Sequence, residues 1–138
     1  MQKIKADYIH SREITEDLLD VYGHVNHAKY LELFEECRWG MIKSEGYGMD
    51  EINRLRIGPI ILEAKIKYKK ELKLSDKIEI HTWTDPIKKK IGKIYQKMFL
   101  PGDLLASEVE LLYGLMHLDK RTLQPPPESW KKALKIDS

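Results

Sequence analysis

One stretch of helical periodicity in a chain otherwise patterned with period two is the strongest constraint on what this sequence can fold into. Tyr30, Leu31, Phe34, Cys37, Met41 and Ile42 recur at spacings of three and four, which gathers them on one face of a 3.6-residue helix. Asn26 stands just ahead as a good N-cap, because its side-chain oxygen can accept from first-turn amides that have no partner inside the helix. Gly46 and Gly48 supply the stop. The pattern predicts a helix over about 27–45, roughly 28 Å long at 1.5 Å per residue.

Strand patterning fills most of the rest. Residues 3–14 alternate loosely through Ile4, Ala6, Tyr8 and Ile14, and 15–25 read as a loop. After a linker around Met49 to Arg56, Ile60, Leu62, Ala64, Ile66 and Tyr68 take alternate positions against Glu63, Lys65, Lys67 and Lys69, the pattern of a half-buried strand with one wet face. Further strands are expected at Lys77 to Thr84, Lys93 to Leu100 and Leu105 to Leu118, the last two joined by the turn Pro101-Gly102-Asp103. A polar turn at Asp119 to Thr122 and the break Gln124 to Pro127 precede a short terminal helix containing Trp130. One strand, one long helix and four more strands describe an α+β domain, an antiparallel sheet wrapped around one long central helix. The helix's remaining face, with Trp39 beyond the main stripe, is a candidate for burial against a second subunit.

Bulk properties exclude several classes. At 138 residues the chain makes a single domain, residues 1–138, with an ordinary balance of 42% hydrophobic and 33% charged residues. A net charge of +2 is too small to imply a nucleic-acid partner, and no apolar run approaches the ~20 residues of a membrane span. Met1 to Lys5 lacks a leader's apolar stretch, so a cytoplasmic protein is expected. Cys37, the lone cysteine, sits within the apolar helix face and reads as a small core hydrophobe rather than a reactive thiol.

The chemistry concentrates just before the helix. Asp20, Gly23, His24, Asn26 and His27 lie within eight positions of one another at a helix N-terminus, where free amides and the positive end of the dipole favour a developing anion. Acyl transfer needs such a place: a carboxylate to attack a carbonyl or activate water, and fixed donors for the oxyanion. The same residues also fit a plain loop in which Asp20 and Asn26 cap backbone groups and the histidines are incidental. Lys88, Lys89, Lys90 and Lys93 form a second cluster, and Lys65 to Lys73 is also basic. Each fits either a solvated face or a site for a phosphate-bearing ligand. His24 and His27 have no third metal ligand nearby, and no metal or other cofactor is expected.

The run Asp20-Val-Tyr-Gly-His-Val-Asn-His27, continuing through Tyr30-Leu31 and Phe34-Glu35 to Arg38, resembles the signature of the 4-hydroxybenzoyl-CoA thioesterase-like hotdog family. Ile66-Lys-Tyr68, Leu74-Ser-Asp-Lys-Ile78 and Leu118-Asp-Lys-Arg-Thr122 with its following prolines resemble the family's later strands and tail, so the likeness covers nearly the whole chain. Leu18 stands where many members carry a second acidic residue. The chain also combines His24-Val-Asn26, typical of one branch, with His27, typical of the branch resembling a Tol-Pal-associated acyl-CoA thioesterase. Neither branch's substrate range therefore transfers.

The resemblance implies a hotdog fold and hydrolysis of an acyl-CoA thioester. It assigns Asp20 as nucleophile or general base, the His27 backbone amide as a holder of the thioester oxygen with its imidazole as a possible polariser, and Gly23 as the point where the backbone comes close to the thioester. It implies a cleft at a dimer interface in a homodimer or homotetramer, with Lys89, Lys90 and Lys93 near the CoA phosphates. Two alternatives stay open: an acyl-acyl carrier protein thioesterase, whose acidic partner would suit the lysines equally, and a hotdog subunit that binds acyl thioesters without turnover.

Overall fold

The computed structural model describes residues 5–134. In chain order it contains β1 (Tyr8–Glu13), a 3-10 turn (Glu16–Leu18), α1 (His27–Ser44), α2 (Met49–Leu55), β2 (Ile57–Tyr68), β3 (Lys77–Thr84), β4 (Ile91–Leu100), β5 (Leu104–His117), β6 (Thr122–Gln124) and α3 (Glu128–Ala133). The strands form one antiparallel sheet in the order β1-β3-β4-β5-β2, with β6 beside β5. The long helix α1 packs on the sheet's inner face, as the two periodicities predict.

The helix forms where its signals stand. Asn26 caps it, its side chain accepting from Ala28 N at 2.9 Å. At the other end Gly46 turns left-handed at φ +91°, and Tyr47 N donates to Ile42 O while Gly46 N donates to Lys43 O. That is a Schellman stop, and it needs a residue tolerant of positive φ. Tyr30, Leu33, Phe34, Cys37, Met41 and Ile42 are the buried face. They meet Ile78, Ile80, Met98, Val109 and Leu111 of the sheet in one core, each large buried side chain contributing about 1.5–3 kcal/mol.

A polar seam crosses this core and sets the helix's height on the sheet. Fully buried Gln96 donates from Nε2 to Phe34 O and to Thr82 Oγ1, both at 3.1 Å, and accepts from Arg38 Nη1 at 2.9 Å. Cys37 Sγ lies 3.3 Å from Thr82 Oγ1, and burial pushes its thiol pKa up. The cysteine is an inert core group, as expected from its position on the helix face.

Four expectations need correction. The linker 49–56 is largely helix α2, which buries only Ile52 and so carries no readable period; its ends are set by Asp50 and Glu51 in the first turn and Arg54 in the last. The first strand is shorter than the alternation at 3–14 implied, starting at Tyr8, and residues 3 and 4 lie outside the described residues. The turn after β5 is followed by the short strand β6, which pairs with the end of β5. The largest difference is in β2. A register shift between Ile61 and Glu63 leaves Leu62 unpaired, a β-bulge. It reverses the alternation, so Ala64, Ile66 and Tyr68 lie opposite the buried side chains of β5 but Ile61 and Pro59, rather than Ile60 and Leu62, continue that face. Much of that face is also uncovered in the single subunit: Ile61, Ala64 and Tyr68 are exposed.

Candidate active site

The segment from Leu19 to Val25 closes on itself before the helix begins. Leu19 and Val25 form an isolated antiparallel bridge, Asp20 N donates to His24 O at 2.9 Å and Gly23 N to Asp20 O at 3.1 Å. Gly23 has φ +86°, a conformation that L side chains rarely adopt. Nothing in the chain lies within 4 Å of where a Cβ would be, so the glycine answers to backbone conformation within the subunit and leaves open space outside it. Val21 and Tyr22, at the tip, are exposed.

Asp20 is thereby oriented rather than loose. Its Oδ1 accepts from Tyr22 N at 2.9 Å, and its Oδ2 lies 3.7 Å from His24 Nδ1, beyond hydrogen-bond range. His24 Nδ1 lies 3.2 Å from Val25 O instead, and its ring stacks on Tyr22 with centroids 5.9 Å apart. Among the described residues Oδ2 accepts no hydrogen bond, and its nearest recorded partner is the His24 imidazole.

The first turn of α1 supplies the donors. Ala28 N is taken by the Asn26 side chain and Lys29 N by Asn26 O. Among the described residues the His27 amide has no acceptor, so the helix begins with one backbone donor available to a ligand. Asp20 and His27 line one recess of about 440 Å³, together with His24, Tyr30, Tyr68 and Lys70. Val25 N donates to Leu72 O, and Tyr30 Oη to Lys70 O at 3.0 Å, which fastens the segment after β2 against this end of the helix. Burial raises the Tyr30 phenol pKa.

The structure thus brings Asp20 and His27 into one recess, ties Gly23 to Asp20 through its amide outside the recess lining, and leaves the lysines of the β3–β4 connection elsewhere. Lys89, in left-handed conformation, and Lys90 are the two-residue tip between Lys88 and Ile91, which bond to each other through backbone groups. Ile91 pairs with Gly114 of β5, whereas Tyr68 in the recess pairs with Ser107. Seven residues of strand separate these two positions of β5, roughly 23 Å. Lys93 Nζ is 3.5 Å from Glu110 on the sheet. The cations that border the recess within one subunit are Lys69 and Lys70. Sequence reasoning noted their basic stretch without assigning it, and it overlooked Tyr68, which reaches the site from 41 positions away; no local motif carries that signal.

The match to a family model for the thioesterase-like superfamily runs over residues 15–134, from the 3-10 turn through α3. The chain belongs to the thioesterase-like superfamily. Its fold is the superfamily's hotdog, an antiparallel sheet of six strands with a long helix packed on it. The long-chain acyl-CoA thioesterase FadM of Escherichia coli (strain K12) is 32% identical over 83 residues, 59% of this chain and 61% of that protein. The chain spans about three fifths of the length of the curated relatives it matches. Among solved structures, a Staphylococcus aureus protein in complex with CoA superposes with a TM-score of 0.86 at 20% identity, covering 98% of this chain and 86% of that one. A 1,4-dihydroxy-2-naphthoyl-CoA thioesterase from Synechocystis superposes at 0.84 and 15% identity, covering 93% and 95%. Among the described residues of this superfamily member no helix is long and apolar enough to cross a membrane.

Proposed function

We propose that the chain hydrolyses an acyl-CoA thioester to the free carboxylic acid and CoA. The observation that carries this reading is the shared recess: Asp20, a carboxylate oriented through Oδ1, and His27, whose amide has no acceptor among the described residues, line it together. In the general-base route Asp20 takes a proton from water as the water oxygen adds to the thioester carbonyl. The carbonyl oxygen becomes an anion against the His27 N–H, and collapse breaks the C–S bond, with the proton returning to the departing sulfur. In the nucleophilic route Asp20 itself adds, expels the thiolate and forms an anhydride that one water then opens. Both consume one water and release one thiol. Replacing His27 by Ala keeps the amide and is expected to cost less than any change at Asp20.

The reading includes a second copy. β2 is a long edge strand whose inner face is partly bare, and pairing two such edges antiparallel sets the beginning of one β2 beside the end of the other. Lys89, Lys90 and Lys93 of one copy then approach the Tyr68 end of the other, where the nucleotide of CoA would lie, in a dimer or a tetramer built from it. Lys69 and Lys70 at the recess also favour an acidic acyl carrier protein as donor, which is the second reading.

A thiol-release assay over acyl-CoAs of graded length and aromaticity, with matched acyl carrier proteins, tests the proposal. Turnover of at least one acyl-CoA is the expected result. Turnover confined to carrier-bound substrates would favour the second reading, and release from neither, with binding retained, would leave a non-catalytic subunit.

A further inference from the structure

The peptide joining His27 to Ala28 is held at both of its polar ends. Its N–H, that of Ala28, donates to Asn26 Oδ1 at 2.9 Å, and its carbonyl, that of His27, accepts from Tyr68 Oη at 3.0 Å. The first hold is local capping and comes with any Asn at this position. The second comes from the last residue of β2. A carbonyl has two lone pairs, so the tyrosine hydroxyl adds to the helical bond without displacing it.

The Tyr68 ring is itself braced. It stands edge-on to Tyr30 with centroids 5.1 Å apart and edge-on to His27 at 6.5 Å, and Tyr30 is anchored through its own hydroxyl to Lys70 O. Tyr68 nonetheless remains 46% exposed and lines the Asp20 recess. A phenol so exposed is free to bond to water, so burial alone does not require its hydroxyl to seek the helix backbone.

We propose that Tyr68 is a positioning residue for thioester hydrolysis. By holding the His27 carbonyl it restrains the plane of the 27–28 peptide and, through the backbone torsions of His27, the direction of the adjoining His27 N–H; the inference rests on the assignment of that amide to the oxyanion. Donors of this kind stabilise a transition state because they are aimed in advance. A loosened peptide therefore lowers turnover and leaves substrate binding almost unchanged. Tyr68 also belongs to the exposed edge strand, so pairing of that edge and the aim of the donor run through one side chain.

Tyr68→Phe keeps the ring and removes the hydroxyl. For an acyl-CoA that the parent hydrolyses, kcat is expected to fall roughly 5- to 30-fold with KM within about twofold. Asn26→Ala frees the other end of the same peptide, so the double variant is expected to lose less than the product of the two single losses, a coupling that a general loss of stability would not produce. A parent-like kcat in Tyr68→Phe, a rise in KM alone, or strictly multiplicative losses would overturn the inference. Asp20→Asn measured alongside separates the two claims. A parent-like Tyr68→Phe with an inactive Asp20→Asn refutes the positioning role alone, whereas an active Asp20→Asn refutes the reading beneath it.

Discussion

The two edges of the sheet are built on opposite plans. β1 is six residues long and is clamped to the helix: His10 Nε2 lies 2.8 Å from Glu36 Oε2, and Arg12 donates to the other oxygen of the same carboxylate. β2 is twelve residues long, with Ile61 and Leu62 43% and 45% exposed around its bulge. A short, charged edge discourages further pairing, and a long one with bare apolar side chains invites it. The inviting edge is also the one that ends in Tyr68, at the Asp20 recess. On the proposed reading, the difference teaches that recognition of a second copy and support of the reacting groups would be concentrated on one strand, while the other edge is tied to the subunit's own helix.

The sharpest way to break this comparison is to charge each edge in turn. Ile61→Lys with Leu62→Lys is expected to reduce the protein to a species of 16.2 kDa and to lower thiol release by more than tenfold. Ile9→Lys, on the exposed face of β1, should change neither. Sedimentation at micromolar concentration with parallel activity checks both, and equal responses at the two edges would remove the distinction. A smaller effect is expected at the lysines. Changing Lys89, Lys90 and Lys93 together to Gln should raise KM for acyl-CoA several-fold at low salt with kcat unchanged. The difference should shrink as salt screens exposed charges over ~8–10 Å, and an acyl-pantetheine lacking the nucleotide should not register it at all.

On the β1 side the expected effect is on stability alone. Glu36→Gln should lower unfolding free energy by about 1–2 kcal/mol, read by urea denaturation, with assembly and kcat as in the parent. The smallest effect concerns how β2 begins. Tyr47 Oη donates to Ile57 O at 2.9 Å, and burial pushes its pKa up to about 12. An unfolded tyrosine loses its proton near ~10. Between those values the folded state holds the extra proton, so this stabilisation is full below pH ~10 and is lost as pH rises through about 12. Tyr47→Phe should flatten the alkaline limb of a stability profile, and an unchanged limb would deny Tyr47 that part.

The sequence was most legible where one element carries its own signals. Asn26, the three-and-four spacing and Gly46 mark α1 almost to the residue, and Pro101-Gly102-Asp103 marks the β4–β5 turn, where Gly102 and Asp103 both take positive φ. The cluster of Asp20, Gly23 and His27 was visible for the same reason, since one turn and one helix start hold it. Contacts that depend on register were hidden. The bulge at Leu62 is a property of how β2 meets β5, and it overturned an alternation that looked regular. Gln96 reads as a polar residue in a strand, and only the packed helix turns it into the partner of Arg38 and Phe34. Pairing with β5 likewise sets Lys89 far from the recess and Tyr68 within it.

Asp20→Asn tests the central claim most directly, because an amide can neither add to a carbonyl nor take water's proton while it keeps the side chain's size and its acceptor for Tyr22 N. Thiol release from the best acyl-CoA is measured for parent and variant at equal assembly and with matching circular dichroism. A fall in kcat of at least about a hundredfold is expected, within the ~10²–10⁴ range for one acid-base group. Turnover within threefold of the parent would contradict the account and remove Asp20 from the chemistry.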